Sequence, residues 1–156
     1  VTFDAITHMA PSSRASEIEA VLAAALVRYP AKKAKQLVEN FELIRELGGL
    51  IATRDRLLQV PGRDGKIAFL KRFKGIGDKY GRNILMDCYH PDFRDSIALD
   101  SRVKSVSAAL GLTFKNYNAE EAFYLSVARC AGLNGWEVDR LIYHFRDEVL
   151  RRLKRS

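Results

Sequence analysis

An all-α fold is predicted by three features of the sequence. Apolar residues recur at spacings of three and four through most of the chain. Polar N-capping residues stand three positions ahead of glutamates, and no run alternates apolar with polar residues as a half-buried strand would. The 156 residues suit one domain over 1–156, large enough to bury roughly two-thirds of its unfolded surface. With 47% hydrophobic and 29% charged residues, the composition excludes a disordered or collagen-like chain.

Each element has a local reason. Ser16 and Glu19 form a capping box whose helix should run to about Arg28, because Pro30 cannot continue it. A second helix, about Ala31 to Leu47, puts Ala34, Leu37, Val38, Phe41, Ile44 and Leu47 on one stripe, and Gly48-Gly49 stops it. A short helix follows Thr53, and Pro61 to Gly65 reads as a turn-rich connection. Helices of about 66–73 and 78–89 then flank Gly75-Ile76-Gly77. Asn118 with Glu121 and Asn134 with Glu137 repeat the capping logic, opening helices of about 119–131 and 135–153. In the last helix Val138, Leu141, Ile142, Phe145 and Val149 form the expected buried stripe.

Charge narrows the class. The net charge is +7 and the pI near 9.6, which favours a polyanionic partner. Between Pro61 and Arg82 stand Arg63, Lys66, Lys71, Arg72, Lys74, Lys79 and Arg82 against only Asp64 and Asp78. The C-terminal run from Arg140 reads instead as a solvated helix face. The longest strictly apolar run, Ala20 to Val27, is too short to span a bilayer, so no membrane partner is expected. No charged-then-apolar leader opens the chain, and the expected location is cytoplasmic and nucleoid-associated, or nuclear in a eukaryote. Cys88 and Cys130 fit a reducing compartment, Cys88 as a small buried apolar group. His8, His90 and His144 show no ligand spacing, and no metal site is expected.

The segment Leu70 to Leu85 carries the most information. Two glycines around one apolar residue allow a sharp turn and leave no side chain in the way of a phosphate. The free amides and dipole at the next helix's N-terminus form an anion site, with Lys71, Arg72 and Lys74 beside it. Taken alone, a Gly-x-Gly is an ordinary helical-hairpin turn; with the local charge excess, nucleic-acid backbone binding is the better account.

This stretch resembles the helix-hairpin-helix of the DNA glycosylase superfamily that includes endonuclease III and the 8-oxoguanine glycosylases. Ile97-Ala98-Leu99-Asp100-Ser101-Arg102-Val103 is similar to the family's segment in which an aspartate leads a helix, and the likeness covers roughly Ala31 to Leu110. Phe73-Lys74-Gly75 stands where the family more often has Leu-Pro-Gly. The resemblance implies a base-excision-repair glycosylase with AP-lyase activity, acting on duplex DNA that carries an abasic site or a damaged base, oxidised bases foremost. Lys79 takes the position of the catalytic lysine, and Asp100, 21 residues on, that of the catalytic aspartate. The lysine amine would attack the anomeric carbon and form a Schiff base, while the Asp100 carboxylate stabilises positive charge on the sugar and accepts the proton. Lys71, Arg72, Lys74, Gly75, Gly77, Arg82 and Arg102 would contact DNA, and Arg82 would also help Lys79 lose its proton. The family's four-cysteine motif is absent, so no iron–sulfur cluster is expected; a monovalent cation at the hairpin is the only cofactor compatible with the resemblance. Residue by residue, Asp100 is equally an N-cap and Lys79 equally a phosphate contact. A non-catalytic DNA-binding module and a helical protein–protein scaffold therefore stay open, with protein partners undefined.

Overall fold

The computed structural model describes residues 1–154, and every regular element among them is helical. In chain order these are α1 (Phe3–His8), α2 (Arg14–Ala24), α3 (Pro30–Glu46), α4 (Leu50–Gln59), α5 (Gly62–Leu70), α6 (Asp78–Asp87), α7 (Ser101–Ala109), α8 (Tyr117–Cys130) and α9 (Gly135–Leu153). A 3-10 turn, Pro91–Phe93, precedes α7. No helix among the described residues is long and apolar enough to cross a membrane. The chain forms two compact units, one from Val1–Pro61 with Ala68–Ile76, the other from Gly62–Ile67 with the chain from Gly77 onward. The division falls within α5, where the sequence suggests one undivided domain.

In the first unit Ile6, Ile18, Ala34 and Phe41 form the core. α1 was not foreseen, since six residues carry too little periodicity to read. The Thr2 hydroxyl caps it, and Phe3 packs its ring 4.8 Å from that of Phe41. α2 starts two residues before the expected capping box at Ser16. Its anchor is the buried Arg14, which pairs with Glu42 at 2.6 Å and lies 4.5 Å over the Phe41 ring. The Ser16 hydroxyl instead donates to the Ser13 carbonyl, so no capping box forms there. α2 also stops at Ala24, short of Arg28, because Leu26 and Tyr29 take left-handed backbone at φ 55° and 60°. Pro30 opens α3, where its missing N–H costs nothing. Most of the α3 stripe is as predicted: Ala34, Phe41 and Leu47 are buried, with Leu37 and Val38 packed alongside, while Ile44 is only partly buried and outside this core.

In the second unit Ile97, Leu99, Val103, Val106, Tyr124, Ala128, Val138 and Ile142 make the core. α5 begins at Gly62, inside the stretch that reads as a turn. It packs on α6 where Gly81 meets Ile67; a Cβ at Gly81 would lie 3.3 Å from Ile67 Cγ2. α8 is capped by Asn116, whose Oδ1 accepts from the Ala119 N–H, so Asn118 is not its cap and Glu121 is left to turn inward. The Asn134–Glu137 capping box of α9 forms as predicted. Farther along α9 the stripe fails: Phe145 has non-helical backbone (φ −119°, ψ 22°) and is 61% exposed, and Leu141 is exposed too. That kink resets the helical phase, so Val149 returns to the core edge while Phe145 does not. Cys88 and Cys130 are both exposed, which corrects the buried role expected of Cys88.

Of the glycines in this unit, Gly135 is the most tightly enclosed. A Cβ there would come 2.7 Å from the Ser96 nitrogen and 2.6 Å from Leu125 Cδ2. Gly135→Ala is therefore expected to destabilise the fold by about 1–3 kcal/mol through forced backbone displacement, read as a lowered urea midpoint with an unchanged m-value.

Candidate active-site cleft

Between Ser96 and Leu99 the second unit's chain is buried and lies outside any helix or sheet that would take its amides. Side chains take them instead. The Ile97 N–H donates to Glu121 (3.1 Å), that of Ala98 to Asp139 (2.8 Å) and that of Leu99 to the Tyr117 hydroxyl (2.9 Å); this hydroxyl donates in turn to the Ile97 carbonyl (2.7 Å). The next residue, Asp100, caps α7. Its Oδ1 accepts from the amides of Arg102 (2.8 Å) and Val103 (3.1 Å), and its Oδ2 from the Arg102 guanidinium (3.3 Å).

Asp100 forms one wall of a cleft of about 460 Å³. Lys79, Asn83 and Asp87 of α6, Arg102 of α7, and Asp139, Arg140, Tyr143 and His144 of α9 also line it. Lys79 and Asp100, paired in the sequence reading, thus face a common space. Lys79 is half-buried on the first turn of α6, its ammonium 4.7 Å from the centre of the exposed Tyr80 ring. Arg102 stacks 4.2 Å over Tyr143 and keeps 40% of its side chain exposed.

Arg82 departs from expectation. It is buried, donates to Glu121 from both Nε (2.9 Å) and Nη2 (2.7 Å), and lies 4.2 Å over the Tyr117 ring. Burial opposes its charge, but Glu121's hydrogen bonds and charge outweigh burial and hold its pKa above the usual value. An expected surface cation is in fact a buried strut, because α6 turns this position inward toward α8. With its charge already matched, it also loses the expected role of helping Lys79 shed a proton.

Asp139 is the residue the sequence reading missed. Burial pushes its pKa up to about 6; the Ala98 amide and Arg140 pull the other way, while Asp100 and Asp87 push it further up. An aspartate five places past an N-cap looks like any helical surface residue, and only the fold shows its neighbours.

The remaining predicted residues lie at the turn after α5. In the first unit Lys71, Arg72, Lys74 and Gly75 are exposed, with Arg72 stacked 5.4 Å over Phe69. Asn40 of α3 holds this turn reciprocally, accepting from the Lys74 N–H (2.6 Å) and donating to its carbonyl (3.0 Å). Gly75 has φ +87°, and a Cβ there would sit 3.2 Å from Gln36 Oε1. In the second unit Gly77 precedes α6 in extended backbone, and a Cβ there would touch nothing within 4 Å. Gly75 is needed by the backbone, whereas no contact among the described residues requires glycine at 77. Among the described residues, no group of three or more histidine, cysteine or acidic side chains is placed to hold a metal.

No family model, curated protein or solved structure matches this chain.

Two stability measurements follow from these contacts. Glu121→Ala should cost about 3–5 kcal/mol, since it strips the buried Arg82 of its counter-charge and the Ile97 amide of its acceptor; thermal unfolding should fall by roughly 10 °C. For Asp139 the folded pKa is raised, so its contribution to stability is full below about pH 4 and is lost as pH climbs through about 6. Asp139→Asn keeps an acceptor for Ala98 and cannot ionise. It should gain about 2–3 kcal/mol over the wild type between pH 4 and pH 7, as measured by urea unfolding at both values.

Proposed function

We propose that this chain is a DNA glycosylase with AP-lyase activity, built around a helix-hairpin-helix formed by α5, the Gly75–Gly77 turn and α6. One observation carries the reading: Lys79 and Asp100, brought together in sequence by the family resemblance, line one polar cleft. A nucleophilic amine and a carboxylate in a common space meet the needs of glycosidic cleavage through a Schiff base. The capping hydrogen bonds of Asp100 fix the direction of its charge, so the capping and catalytic accounts of this residue are compatible. Support for a DNA partner is independent of the cleft. It comes from the basic net charge, the exposed Lys71, Arg72 and Lys74, and a glycine at 77 whose missing side chain leaves room for an outside group at a helix N-terminus. The target nucleotide would have to leave the stack to reach Lys79. Oxidised bases remain the substrate class this reading favours. Arg82 is not carried forward as a DNA contact, and Arg102 acts from within the cleft wall.

Borohydride trapping on a duplex with one abasic site tests the reading. The wild type should give a covalent adduct and Lys79→Gln none, with duplex affinity retained. Lys74→Ala should flatten the slope of log affinity against log salt by about one. Salt-dependent binding with no adduct would assign the chain to non-catalytic DNA binding. Failure to bind duplex DNA at all would leave the scaffold reading.

A further inference from the structure

Resting on that proposed activity, we infer that Asp139 is the proton-transfer group of the cleft, while Asp100 serves as its fixed charge. The two carboxylates differ in how their oxygens are used. Asp100 accepts three hydrogen bonds, from two amides at Oδ1 and from the Arg102 guanidinium at Oδ2, which fix the direction of its carboxylate. Asp139 accepts one hydrogen bond, at Oδ1 from Ala98. Its Oδ2 lies 3.4 Å from Arg140 Nε, a nitrogen that makes no hydrogen bond. The side chain is only 7% exposed yet lines the cleft, so a buried carboxylate, hydrogen-bonded at Oδ1 and ion-paired at Oδ2, borders the space that Lys79 shares.

The charges around Asp139 suit a group that alternates between protonated and ionised forms. Arg140 and His144 come from its own helix, Asp87 and Lys79 from α6, Asp100 from the preceding loop, Arg102 from α7 and the Tyr117 hydroxyl from α8. Burial and the two acids favour the protonated form; the Ala98 amide and Arg140 favour the carboxylate. A pair of acids whose surroundings separate their roles in this way is the usual basis for dividing charge stabilisation from proton transfer.

The step balances without an outside reagent. A Lys79 N–H bond breaks as the Asp139 O–H bond forms, directly or through one water. The freed lone pair attacks the anomeric carbon, the bond from that carbon to the base breaks, and the base nitrogen keeps the electron pair and takes the proton from Asp139. Of the ammonium's other two protons, one goes to the sugar ring oxygen as the ring opens and one stays on the iminium. At a preformed abasic site the Asp139 proton goes to the departing hydroxyl, which leaves as water.

The test is single-turnover borohydride trapping on abasic-site duplex from pH 4.5 to 9, using the wild type, Asp139→Asn, Asp139→Glu and Asp100→Asn. The wild type should show an acidic limb with a midpoint near 6. Asp139→Asn should lose that limb and slow at least tenfold at pH 7 with duplex affinity unchanged. Asp100→Asn should slow the reaction but keep the limb. Asp139→Glu discriminates further: a proton-transfer role predicts that Glu outperforms Asn, whereas a purely structural hold on Ala98 predicts that Asn performs at least as well. A wild-type profile in Asp139→Asn, or Asn outperforming Glu, overturns the proposal while leaving the lyase reading intact. No adduct from the wild type overturns both.

Discussion

The four buried residues from Ser96 to Leu99 impose the constraint around which the second unit is organised. Buried backbone outside helix and sheet leaves amides that cost free energy unless each finds an acceptor. Here three successive amides go to three side chains, from Glu121, Asp139 and Tyr117, on two different helices. Those helices must therefore hold their register along the segment. The Gly135 backbone closes on Ser96 where no Cβ would fit, and Arg82 locks Glu121 in place from α6.

This arrangement couples the proposed site to the core. α6 carries both Lys79, which lines the cleft, and Arg82, three residues on, which pairs with Glu121. The segment ending at Asp100 is hydrogen-bonded to Glu121, the partner of Arg82. The lysine and the aspartate are thus held by one buried ion pair rather than by contact with each other. Such a pair contributes little net stability, because desolvating two charges offsets most of their attraction. What it supplies is a fixed relation between two elements, since shifting either would leave a charge buried without its partner.

In the first unit a similar economy governs the turn after α5. Asn40 satisfies both the N–H and the carbonyl of Lys74. The two glycines of this turn answer to different causes. Gly75 is required by its left-handed backbone and by Gln36. Gly77, in the second unit, meets no contact among the described residues that requires glycine, which makes it the better pointer to an external partner.

Much was legible in the sequence because it depends on neighbours within a turn or two. Helical periodicity, the Asn134–Glu137 capping box, the Asp100 cap and most of the α3 stripe are all local interactions, and they appear as read. The errors share a different cause. The start of α2 was decided by Arg14 reaching Glu42, and the inward turn of Arg82 and Glu121 by a contact 39 residues apart. The exposure of Phe145 followed from a kink in α9. Asp139 owes its raised pKa to burial against a segment 41 residues earlier. The sequence by itself thus determined most of the helices and their local caps. Which charges face the cleft and which are spent inside was decided only by tertiary structure, because burial and pairing are properties of distant neighbours.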